Sequence, residues 1–152
     1  MSKRLLEHLG REHDAIGVFL QLLDQEAQAM GLGQFALLPE LAERKSVLAD
    51  EIALMGQQRE AVQRALGHPA GRSGADAVAA ASGKAVQEAW AALLERAAQA
   101  HAANHRNGVM VHTHLDFTRQ SISFLKASGQ PLYGPDGNHK AGSGNGTRLA
   151  LG

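Results

Sequence analysis

The chain has no cysteine, few aromatic residues and no excess of either charge. The lack of cysteine excludes disulfides, thiolate zinc sites and thiol catalysis. Because 15 lysine and arginine residues balance 15 aspartate and glutamate residues, nucleic acid and anionic membranes are disfavoured as main partners. No stretch approaches the roughly 18 apolar residues that a membrane span needs, and the amino end becomes charged before a signal peptide forms. We therefore expect a cytoplasmic protein without membrane insertion.

Alanine and leucine are the commonest residues, which favours helices. Glycine is concentrated in two zones, because four of the 17 glycines lie in 67–83 and seven in 129–152. Three of the four prolines lie in the same zones. Since glycine and proline interrupt helices, we predict an all-α fold of three long helical blocks. The predicted blocks are 3–30, 39–67 and 84–128.

Apolar residues in the first two blocks recur at alternating spacings of three and four, as in helices that pack along one seam. In the second block Lys45 and Arg59 interrupt this seam. We expect their methylene stems to cover the seam while their charged ends stay in water. The acidic residues of the blocks, Glu12 and Glu26 among them, are expected to be solvated surface groups.

The segment 67–83 has a single bulky apolar residue, Val78, so it has little to bury and is predicted to be a connector that is mobile or only briefly helical. The first two blocks should form an antiparallel hairpin with the third long helix packed along it. The third block, about 45 residues, is too long for that hairpin to cover completely. The expected organisation is one helical domain, 1–128, followed by a flexible tail, 129–152.

One stripe of histidines is the main candidate for a metal-binding or catalytic site. His101, His105, His112 and Asp116 are spaced at four, seven and four residues along one face of the third block. Because they occupy successive turns of one helix, a single ion would reach two of them, so we expect no metal and no cofactor. Motifs for nucleophilic catalysis and phosphate binding are missing, and an enzyme is not expected. A metal-binding protein or enzyme that uses this stripe is the alternative hypothesis.

Asn104 and Asn107 interrupt the apolar seam of the third block and are followed at once by Gly108. A buried asparagine fixes helix register, and glycine allows a neighbouring backbone to approach closely. A structural role is the favoured interpretation, and hydrogen bonding to a partner's main chain is the other.

A second apolar row lies beside the seam, because Met110, Phe117 and Phe124 recur every seven residues. If the hairpin covers only the main seam, this row is an exposed groove that binds an amphipathic helix. If another helix layer covers it, the row is ordinary core. The sequence leaves both interpretations open.

Four local elements, in order, resemble the FlgN family of flagellar type III export chaperones. They are Glu43-Arg-Lys-Ser-Val-Leu, Trp90, Asn104-His-Arg-Asn-Gly108 and Tyr133-Gly-Pro-Asp-Gly137. The asparagine element followed by the tyrosine element is the specific part. The chain departs from the family pattern where Glu43-Arg-Lys replaces an adjacent Glu-Lys and where 67–83 is long.

The resemblance implies a cytoplasmic chaperone, without cofactor, that binds hook–filament junction proteins, prevents their premature association and presents them to the export gate. It implies that Tyr133 docks to the export gate. It also implies that client proteins bind the second half of the third block. The expected client-binding residues are Met110, Val111, Phe117, Thr118, Ile122, Phe124 and Leu125.

Overall fold

The computed structural model describes residues 2–129, which form four α-helices and one 3₁₀ turn. The elements are α1 (Ser2–Gly31), the 3₁₀ turn (Phe35–Leu37), α2 (Leu38–Ala65), α3 (Gly71–Ala81) and α4 (Lys84–Ala127). Within the described residues the prediction of an all-α fold is confirmed. Helices α1, α2 and α4 are long, and α3 is a fourth helix of 11 residues. No helix among these residues combines the length and the apolar character needed to cross a membrane.

The bounds of the three long helices match the predicted blocks because backbone geometry fixes the ends. Gly33 and Gly67 adopt φ of +71° and +85° just beyond α1 and α2, a left-handed conformation that glycine adopts without strain. At the end of α2, the N–H of His68 bonds to the carbonyl of Gln63 at 3.0 Å. Pro39 lies in the first turn of α2, where its missing N–H costs nothing.

Helices α1 and α2 form the predicted antiparallel hairpin. Arg59, late in α2, pairs with Glu12, early in α1, while Lys45, early in α2, pairs with Glu26, late in α1. Buried apolar residues from both helices form two core clusters, which include Leu9, Leu23 and Val62 in one and Leu41 in the other.

Helix α3 corrects the prediction for 67–83. This segment buries Gly74, Ala75, Val78 and Ala79, and the last three belong to the main core together with Trp90. The expectation that the segment has little to bury is wrong because small residues let α3 lie close to its neighbours. Gly74 lies close to the connection that precedes α3, since a Cβ on it would lie 1.7 Å from the carbonyl oxygen of Pro69.

The chain divides into two units, Met1–Val111 and His112–Gly152. In the first unit α4 runs parallel to α1, since Arg96 donates to the carbonyl of His13 at 3.0 Å and Asn107 donates to that of Leu23 at 2.8 Å. Val86, Trp90 and Leu93 of α4 complete the core.

The second unit is described from residue 112 to residue 129. Helix α4 continues to Ala127 there, and no residue between 112 and 129 is buried. This agrees with the expectation from the block lengths, that the third block is too long for the hairpin to cover completely.

Candidate functional site

A polar cluster centred on Arg59 joins all four helices of the first unit. Its Nε donates to Glu12 Oε2 at 2.6 Å, its guanidinium donates to Gln63 Oε1, and its Cζ lies 5.1 Å from the centre of the Trp90 ring. The indole Nε1 of Trp90 in turn donates to Asp76 Oδ1 of α3 at 2.6 Å. Hydrogen bonds to charged groups contribute about 1.5–3 kcal/mol, and this cluster therefore fixes how the helices meet.

Gln63 ties the start of α3 to the end of α2. Its side chain is fully buried, and its amide Nε2 donates to the carbonyls of Pro69 and Gly71 at 3.2 and 3.3 Å. These bonds satisfy the amide of the buried Gln63 side chain, which would cost about 1–3 kcal/mol if it were left without partners.

Burial raises the pKa of the Glu12 carboxyl above its ordinary value of 4.5. The hydrogen bond and the charge of Arg59 act in the opposite direction, but the loss of hydration is the larger effect. Only 4 % of Glu12 is exposed, which is why the desolvation of the charged form dominates.

A second polar cluster lies nearer the turn of the hairpin. Lys45 Nζ donates to both carboxylate oxygens of Glu26 at 3.2 Å and to Asn104 Oδ1 at 3.0 Å. Asn107 donates to the carbonyl of Leu23 at 2.8 Å and to Glu26 Oε1 at 3.0 Å. The two asparagines of α4 thus contact the hairpin at one point, and Asn107 itself is 5 % exposed.

These clusters correct two expectations about charge. The charged ends of Lys45 and Arg59 pair with Glu26 and Glu12 instead of lying free in water, and both of these carboxylates are buried. The physical reason is that each buried carboxylate has a partner of opposite sign on the facing helix, which offsets part of the cost of its desolvation.

Gly108 differs from its expected role. It is exposed, and a Cβ built on it would meet no atom within 4 Å among the described residues. The close approach of a neighbouring backbone that the sequence suggested at this position is therefore not found in the described part of the chain.

The second unit exposes a row of apolar side chains. Phe117 is 67 % exposed and Phe124 is 71 % exposed. Ile122, Leu125 and Thr118 are exposed as well. Of the two interpretations left open by the sequence, the exposed row matches these side chains, and ordinary core does not. We refer to the part of this face that lies in the second unit, residues 117, 118, 122, 124 and 125, as the apolar row.

The other expected site residues fall in different places. Met110 is exposed and Val111 is half-buried, and both belong to the first unit. Tyr133 lies outside the described residues.

The histidine stripe is solvated. His101, His105, His112 and Asp116 are all exposed. In the described part of the chain, no three histidine, aspartate or glutamate side chains converge as metal ligands would.

The sequence model of the family described as FlgN protein matches residues 1–141. The chain belongs to the FlgN family. Two FlgN relatives, both named flagella synthesis protein FlgN, come from Yersinia enterocolitica and from its serotype O:8 / biotype 1B. They are 28 % and 27 % identical to this chain over 152 residues, and each alignment covers 98 % of both sequences. No solved structure matches the chain.

The structure brings together elements that carried the resemblance to FlgN proteins. Lys45 of the first element meets Asn104 of the third, and Trp90 contacts Arg59 in the other cluster. Within the described residues these elements serve packing between helices, while the exposed apolar row lies in another segment.

Proposed function

We propose that this chain is a cytoplasmic flagellar export chaperone. It binds hook–filament junction proteins, prevents their premature association and delivers them to the type III export gate. Membership of the FlgN family and the names of its relatives, flagella synthesis proteins, support a role in building the flagellum. The step from flagellar synthesis to chaperoning depends on a surface suited to hold another protein.

The exposed apolar row is the observation that carries the proposal. Phe117 and Phe124 are seven residues apart on α4, so their rings lie on one face of the helix. Large aromatic side chains that remain exposed in a monomer are typical of a surface that a partner covers. An amphipathic helix of a junction protein is the proposed partner, with its apolar face against this row. The proposed contact residues are Met110, Val111, Phe117, Thr118, Ile122, Phe124 and Leu125.

The double variant Phe117→Glu/Phe124→Glu tests this surface. Isothermal titration with a purified junction protein should show a Kd raised roughly tenfold or more, since an aromatic anchor contributes above about 1.4 kcal/mol. The free energy of unfolding should change by less than about 0.5 kcal/mol, because both side chains are exposed.

Ser123→Glu is the matched control. Ser123 is exposed on the opposite face of the same helical segment, so this variant introduces charge without touching the apolar row. It should bind the junction protein as the wild type does. Unchanged binding by the double variant, or equal loss in the control, would contradict the proposed surface.

Tyr133 is the proposed docking residue for the export gate. This assignment follows from the match of Tyr133-Gly-Pro-Asp-Gly137 to the family element. It separates two roles, because the chain would hold its client through α4 and contact the gate through another segment.

A further inference from the structure

Two openings lie on the surface of the α1–α2 hairpin, one near the start of α1 and one beside the turn. The opening near the start of α1 measures about 550 Å³. Its α1 wall carries Arg4, His8 and Arg11, and its α2 wall includes Ala61 and Ala65. One side of this opening is therefore basic and the other is small and apolar.

The second opening, of about 310 Å³, lies beside the turn of the hairpin. Leu32 and Leu37 line it, and they are 72 % and 49 % exposed. Gln25 of α1 and Glu40 of α2 also line this opening. Apolar surface is thus available at this end as well.

Three exposed apolar residues lie between the two openings. Val18 is seven residues from both Arg11, which lines the first opening, and Gln25, which lines the second. Since seven residues return to nearly the same face of a helix, Val18 lies on the α1 wall. By the same spacing, Val47 and Leu54 of α2 lie between Glu40 and Ala61. Val18, Val47 and Leu54 are each about half exposed. By the same spacing the exposed carboxylates Asp14 and Glu51 lie on these walls as well, so the surface between the openings combines apolar and acidic side chains.

The positive charge at the opening near the start of α1 favours a partner that is acidic at that end. Arg4 and Arg11 form no hydrogen bond or ion pair among the described residues, and Glu7 is the one carboxylate that lines this opening. A second copy's apolar row is a poor occupant, since the segment 112–127 carries Arg119 and Lys126 against a single acidic residue. Like charges across an interface disfavour association.

We propose that the two openings and the surface between them act as one groove, which binds an amphipathic helix of another protein with carboxylates at the end that lies against Arg4 and Arg11. The groove extends from Arg4 to Leu32, so a matching helix has about 28 residues and a length of about 42 Å. Its apolar face covers Val18, Val47 and Leu54. This surface is separate from the apolar row, and the partner it accepts is acidic at one end.

Fluorescence anisotropy with two labelled helical peptides of about 28 residues tests the proposal. Both carry leucine along one face, and they differ only in having glutamate or lysine in one terminal third. The full-length Phe117→Glu/Phe124→Glu variant serves as the protein, so that the apolar row does not contribute. The glutamate peptide should bind roughly tenfold more tightly than the lysine peptide. Adding Arg4→Glu/Arg11→Glu should reverse this preference, and adding Leu54→Glu should weaken the binding of both peptides.

Matched controls are Arg72→Glu, a charge reversal on the exposed face of α3, and Ala53→Glu, on an exposed face of α2 away from the groove. Both should bind the glutamate peptide as the parent protein does. Equal affinity for the two peptides, or binding that is unaffected by Leu54→Glu, would overturn the proposal. It would also fail if the wild-type chain sediments as a dimer that Leu54→Glu dissociates, since a second copy would then occupy the groove. None of these results depends on whether the apolar row binds junction proteins.

Discussion

Among single residues, Glu12 makes the stability of the fold depend on pH in an unusual direction. Its carboxyl is buried against Arg59, and its pKa is raised above 4.5. In the pH range just above 4.5 the folded state therefore holds more protons at this site than the unfolded state. Since stability falls with rising pH wherever the folded state binds more protons, the contribution of Glu12 is greatest below 4.5 and is lost as pH rises through the folded pKa.

Glu12→Gln removes this titration and keeps an oxygen that accepts a hydrogen bond from Arg59. We expect the difference in unfolding free energy, wild type minus variant, to fall as pH rises from 4 towards 7, in a range set by the raised pKa of Glu12. Urea unfolding at several pH values measures this difference, in which titrations common to both proteins cancel. A difference that is constant or rises with pH would contradict the raised pKa.

At the scale of elements, α3 depends on one glycine. Gly74→Ala would place a Cβ 1.7 Å from the carbonyl oxygen of Pro69, so the start of α3 and the connection before it would have to move apart. Overpacking of this kind costs about 1–3 kcal/mol. Gly10→Ala in α1 is the control, because its Cβ meets no atom within 4 Å, and it should stabilise by about 0.5–1 kcal/mol. In urea unfolding, the changes in the free energy of unfolding of the two variants should have opposite signs. Stabilisation by Gly74→Ala would mean that Gly74 is not packed against Pro69.

The bounds of the long helices could be predicted because glycine and proline mark their ends in the sequence. Helix α3 could not be predicted, since its buried residues are mostly alanine and glycine, and such residues give a weak periodic signal.

The pairing of Glu12 and Glu26 with α2 did leave a signal in the sequence. These glutamates are separated by 14 residues, the same spacing as Lys45 and Arg59, which is the match that an antiparallel hairpin needs. This matched spacing is hard to recognise in the sequence, because many other carboxylates are scattered along the helices and most of them are solvated.

The exposed row on α4 could be predicted only as one of two outcomes. The spacing of Met110, Phe117 and Phe124 defines a face of the helix, but whether another element covers that face depends on tertiary packing.

The proposed groove on the hairpin was missed for a related reason. Its lining residues are a mixture of arginine, valine and alanine that resembles an ordinary helix surface until α1 and α2 lie side by side.

For the whole molecule, the proposed division of roles predicts that holding a client and reaching the export gate are separable. Tyr133→Ala should leave affinity for junction proteins and the free energy of unfolding unchanged. Secretion of junction proteins and affinity for the cytoplasmic domain of the gate should fall, since an aromatic anchor that docks in a partner contributes strongly to binding. Secretion assays and titration with each partner measure these effects. Wild-type secretion, or lost client binding in vitro, would show that the roles are not divided in this way.

The arrangement of the buried ion pairs also affects the order in which the chain is made. Both buried acids belong to α1, which leaves the ribosome first, and both of their basic partners belong to α2. Two newly made α1 segments on neighbouring ribosomes would have to bury carboxylates without counter-ions in order to pair with each other, and that is strongly unfavourable. We therefore expect α1 to stay unpaired during translation until α2 of the same chain follows.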